Sequence, residues 1–213
     1  MQFPNAHAGV KKIYKATVIA LISVILLVIA SVLVLAGAAG GSGAGVLGGA
    51  ALFIVIAILM IIAFIMNLVG LVKAKKDEKS FNIALIFTIV GIIAAIVVGA
   101  SQSGTLLNSL GDDIRSICSF LSTWFVCTGI INLADRLNDS AMSERGMKTR
   151  RVLMVVWILA IVLKIIGDVV GSNAGTPIAV VALVLALIAG IMEIVTFFLY
   201  LKLLGRARTM LEA

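Results

Sequence analysis

Charge is scarce in this chain: 13% of its 213 residues are Asp, Glu, Lys or Arg, against roughly a quarter in an ordinary soluble domain. So few charges cannot clothe a water-facing surface. Histidine is nearly absent too, and the single residue, His7, stands in the N-terminal tail, so a histidine-based catalytic or metal site has nothing to use. The only two cysteines, Cys118 and Cys127, lie nine apart inside an apolar run. They lack the short Cys-x2-Cys spacing of metal sites and read as small buried hydrophobes. No nucleophile, base and orienting group recur together, and no cofactor motif is present. The chain is therefore not expected to be an enzyme, and no metal or cofactor is expected.

Glycine, by contrast, is plentiful, with 20 residues, and Gly37, Gly41, Gly45 and Gly49 fall four apart. A phosphate-cradling loop needs Lys-Ser/Thr after its glycines. Here the next charge is Lys73. The stretch instead predicts a turn running into a small-residue helix face, where two backbones approach closely.

What fills the chain is apolar: 62% hydrophobic residues at a mean hydropathy of +1.23. That balance predicts an all-α polytopic membrane protein with membrane lipid around it. Six runs approach or exceed the roughly 20 residues that a helix needs to span a bilayer: 17–37, 46–72, 81–99, 113–137, 152–171 and 178–204. The first exceeds the roughly 7–15 residues of a signal-peptide core, so it is read as a retained span.

The formal net charge is +7, which in a soluble protein could point to nucleic acid. Here the basic residues stand in short blocks between apolar runs, so no nucleic-acid partner is expected. Of 17 Lys and Arg, all but Arg115 and Lys164 fall on one side of the six-span topology. The positive-inside rule then places both termini in the cytoplasm, and the expected location is a bacterial plasma membrane. Residues 100–111 become an external loop, and 138–151, rich in Asn, Asp, Ser and Gly, the longest internal one.

A weak internal repeat organises the spans. Ile65, Asn67 and Leu68 recur as Ile130, Asn132 and Leu133. A basic block follows each, then an apolar run closing on Val-Val-Gly at Gly99 and Gly171. The pattern predicts one transmembrane domain over 1–213, built as three sequential helical hairpins, 10–73, 74–137 and 148–205. All three share one orientation, unlike the inverted repeats of many secondary transporters.

Ionisable residues within the spans are costly and mark candidate sites. Lys164 and Asp168, four apart on the fifth span, and Arg115, just after Asp112 and Asp113, predict an ionic cluster between the fourth and fifth spans. Glu193 follows the small residues Ala186, Ala189 and Gly190 near mid-span. No basic partner is expected at its depth, and Asn132, Thr196 or Tyr200 are its expected neighbours.

Two functions follow from these residues. One is a structural or regulatory protein packing through its small-residue seams, alone or as a homo-oligomer. The other is a small transporter or channel for protons, cations or a small solute, using Glu193 and the outer charges. A dry seam around Glu193 would favour the first, and a polar cavity reaching it the second.

Overall fold

The computed structural model describes residues 2–40, 43–100, 106–171 and 176–212. Six α-helices occupy them: α1 Pro4–Ala39, α2 Gly43–Ala74, α3 Ser80–Ala100, α4 Leu106–Arg136, α5 Ser140–Gly171 and α6 Thr176–Glu212. No strand occurs among the described residues. Among those residues, four helices are long and apolar enough to cross a membrane: Pro4–Ala39, Leu47–Ala74, Ser80–Val98 and Asp113–Arg136. Their outward faces carry large bare hydrophobes such as Leu35, Ile54 and Ile96, each 65–70% exposed. An exterior of that kind is stable in lipid and not in water.

Two expected loops prove largely helical. The internal segment 138–151 shrinks to a turn, because Asp139 caps α5 by accepting a 3.0 Å hydrogen bond from the Met142 N–H, three residues into the helix. Asn138 supplies the reversal with a left-handed φ of 54°, which asparagine tolerates better than most residues. The Ser and Gly that suggested a loop have packing roles instead: Ser143 is buried, and Gly146 lies against the Ile131 side chain. On the other side, α4 already begins at Leu106, so helix also takes up much of the expected external loop at 100–111.

The chief packing partners are consecutive helices, α1 with α2, α3 with α4 and α5 with α6, and α6 also touches α1. The α1–α2 seam is the tightest. A methyl group at position 9 would meet the Gly70 carbonyl oxygen at 2.5 Å, and one at position 70 would meet the Gly9 carbonyl oxygen at 2.9 Å. Only glycine permits that backbone contact. The α3–α4 seam is looser, with Gly91 facing Cys118 and a 2.8 Å hydrogen bond between the hydroxyls of Thr88 and Ser122.

The core sits at one end of the bundle, the end carrying most of the basic residues. Ile13, Leu71, Phe81, Ile130, Leu133 and Leu204 are at most 1% exposed there, and Met142 brings α5 into the same cluster. Both ends of the chain are tied to this region. The Ala6 N–H donates to the Asp77 carboxylate at 2.7 Å, so the turn between α2 and α3 neutralises the start of α1 with a negative charge. The Arg208 guanidinium lies 5.8 Å from the centre of the Tyr14 ring.

Candidate functional site

A cavity of about 710 Å³ lies between α4, α5 and α6. Arg115, Ser119 and Thr123 on α4 line it at helical spacing, as do Trp157 on α5 and Glu193, Thr196 and Tyr200 on α6. Residues four or seven apart share a helix face, so each helix turns one stripe toward the cavity. Because α5 runs opposite to α4 and α6, Arg115, Ala160 and Glu193 stand toward the far end while Thr123, Leu153 and Tyr200 stand toward the basic end. Eight residues of helix make that about 12 Å of length.

The wall between these levels is aromatic. Phe120 stacks on Trp157 with ring centres 4.4 Å apart and leans on Trp124. Below it, Arg150 sits 5.1 Å from the centre of the Trp124 ring and donates to the Thr128 hydroxyl at 3.4 Å. The aromatic stack thus holds α4 and α5 together and leaves the polar groups at its two edges.

Three features give the cavity its chemistry. Arg115 and Glu193 both line it, yet the ion pairs among the described residues are Arg136 with Glu78 and Lys164 with Asp113, so these two opposite charges share a space without contact. Thr196 is 8% exposed, and its Oγ1 is buried without a hydrogen-bond partner. Glu193 itself is exposed in the single chain, so the protein does not enclose it. Glu193 forms no ion pair among the described residues, but Arg115, a basic residue not expected near it, lines the same cavity.

Of the expected outer cluster, Lys164 and Asp113 form an ion pair between α5 and α4. Arg115 stands apart from it, and the side chains of Asp112 and Asp168 lie outside the described residues. Both partners of the pair are about half exposed, so a double-mutant cycle with Lys164→Met and Asp113→Asn is expected to give a coupling of only about 0.5–1 kcal/mol. Thermal unfolding of the two single variants and the double variant in detergent reads it, and strictly additive losses would show that the charges act independently.

Asn132 belongs elsewhere. Its amide donates to Glu78 Oε1 at 3.0 Å and to Ser80 Oγ at 3.2 Å, far from the cavity, because α4 turns this face toward the α2–α3 connection. Glu78 is the hub: its Oε1 also accepts from the Ser80 hydroxyl at 3.1 Å, and its Oε2 meets Arg136 at 2.7 Å. Burial pushes the Glu78 carboxyl up, but the hydrogen bonds from Asn132 and Ser80 and the Arg136 charge outweigh it and hold the group below its ordinary 4.5. Sequence reading missed Glu78 because it stands among Lys73, Lys75, Lys76 and Lys79, where an acid looks like a solvated counter-charge. The signal that could have found it is Asn132 and Arg136, four apart on α4 and both suited to carboxylate recognition.

Among the described residues no three His, Cys, Asp or Glu side chains converge as a metal site would require. Comparison with known protein families, curated proteins and solved structures finds no match. What the fold and composition define is a class: an all-helical protein whose apolar helices suit insertion into a membrane.

Proposed function

We propose that this chain is a six-span integral membrane protein of three sequential hairpins, with both termini cytoplasmic, that binds a small solute in the α4–α5–α6 cavity and passes it across the membrane. Support for six spans comes from the lengths of α5 and α6, 32 and 37 residues, which exceed the roughly 20 that a bilayer requires. Pairing of consecutive helices supports the hairpin order, and the gathering of both chain ends at the basic end supports the orientation.

One observation carries the functional reading: Arg115 and Glu193 line the same cavity without pairing, beside the unsatisfied Thr196 hydroxyl. Unpaired charges at membrane depth are costly, and a zwitterionic solute bearing a carboxylate and an ammonium group would satisfy both. The aromatic wall of Phe120 and Trp157 offers a face to the cationic part of such a solute.

The test uses the full chain in proteoliposomes, with uptake of amino acids and betaines measured beside Arg115→Gln and Glu193→Gln. Uptake of at least one zwitterion is expected in the wild type, with loss of at least tenfold in each variant while both still fold. A wild type that moves none of them, or variants that transport as it does, would refute the proposal. That second result would favour a structural protein packed through its seams, a reading supported by the close approach of Gly9 and Gly70. Orientation is checked separately, by labelling cysteines placed at Ser42 and Ser172. Both should react only from outside the cell.

A further inference from the structure

A second hollow, of about 180 Å³, lies between α5 and α6 at the basic end. Arg145 and Lys148 reach it from the first turns of α5, and Lys202 and Arg206 from the last turns of α6. They stand three and four residues apart, so each pair shares one helix face. No carboxylate lines the hollow. The adjoining depression, which Arg145 and Arg206 also border, holds Asp139, but that carboxylate is engaged in capping α5 through the Met142 N–H. None of the four cations makes an ion pair, since the pairs among the described residues involve Arg136 and Lys164 instead.

Four like charges around one small space repel one another, and a fold keeps such an arrangement at little cost when an anion occupies it. The remaining lining says what kind of anion. Val152, Leu199 and Leu203 form its apolar side, and Val152 and Leu199 lie toward the membrane span from the cations of their own helices. A free phosphate has no use for that surface. We infer that the groove binds an anionic phospholipid, its headgroup phosphate held by Arg145, Lys148, Lys202 and Arg206 and the start of an acyl chain laid along Val152 and Leu199. Basic pockets between membrane helices on the cytoplasmic side recognise headgroups through this chemistry. The inference is independent of the solute cavity, which shares none of these residues.

The test titrates the purified full-length protein in detergent with phosphatidylglycerol, phosphatidylcholine or inorganic phosphate, reading thermal stability and the lipid retained in native mass spectra. Phosphatidylglycerol should stabilise the protein and be retained, and phosphatidylcholine should not. Each basic group near a headgroup contributes about 1 kcal/mol, so the Lys202→Gln/Arg206→Gln variant is expected to weaken phosphatidylglycerol binding about 30-fold. Lys75→Gln/Lys76→Gln removes the same charge from exposed positions in the α2–α3 turn and should leave binding unchanged. Should the first double variant fail to purify as a single species, Lys202→Gln alone should still lose about fivefold. Equal loss in the two double variants, or unchanged binding in Lys202→Gln/Arg206→Gln, overturns the inference. So does full stabilisation by phosphate alone, which would assign the groove to a free anion.

Discussion

Gly9→Ala is expected to lower the stability of the protein by about 1–3 kcal/mol, the range of an overpacked core, although alanine is the better helix former. The added methyl group would stand 2.5 Å from the Gly70 carbonyl oxygen and 2.7 Å from both the Ala74 Cβ and its backbone nitrogen. None of these is the end of a flexible side chain. The two helices must therefore separate, and the neighbouring contact at Ile13, 1% exposed, loosens with them. Gly48→Ala is the control, because nothing lies within 4 Å of a methyl group there, and it should leave stability unchanged or raise it by up to about 1 kcal/mol. Thermal unfolding in detergent compares them. If Gly9→Ala melts with the wild type, the backbones of α1 and α2 are not in contact.

The second large effect is expected at Glu78. Glu78→Ala leaves the Asn132 amide and the Ser80 hydroxyl without their carboxylate acceptor, and breaking a buried, hydrogen-bonded charge pair costs about 3–5 kcal/mol. Arg136 is half exposed, so water takes part of that loss and the lower end of the range applies. Arg136→Gln should cost less than Glu78→Ala, since the amide bonds from Asn132 survive it. The two differ in pH dependence as well. A carboxyl held below its ordinary 4.5 stabilises the fold fully above that value, and the contribution fades as pH falls through the lower folded value. Acid unfolding of the wild type should therefore contain a component that Glu78→Gln removes. Identical acid-unfolding profiles for the two proteins would mean that the carboxylate adds nothing to stability.

Much of this was legible in the sequence, and what was not has identifiable causes. Apolar run length located the helices because it reports transfer into lipid, which does not depend on neighbouring helices. Lys164 and Asp113 were legible as an ionic contact for a similar reason: lone charges at that depth need a partner. Segment 140–151 was misread because composition counts Ser143 and Gly146 as loop formers, whereas in the fold one is buried and the other makes room for Ile131. Asn132 was assigned to the wrong charge. Its helical position placed it on the inner half of α4, but which neighbour that face meets is set by the rotation of α4 against α3, and periodicity carries no record of it. Arg115 was grouped with the outer charges for the same reason: depth could be estimated residue by residue, and direction around the helix axis could not.

The contact between Tyr14 and Arg208 joins the first helix to the last, and this has a consequence for how the molecule is made. Helices that neighbour each other in sequence can pack as soon as both have left the ribosome, so most of the bundle assembles while synthesis is under way. The α1–α6 interface cannot. One face of α1 stays uncovered until about 200 residues have been added, and the last turns of α6, with Leu204 and Ala207 fully buried, are what cover it. A chain that stopped before these turns of α6 would keep its other helix pairings and leave this face of α1 open.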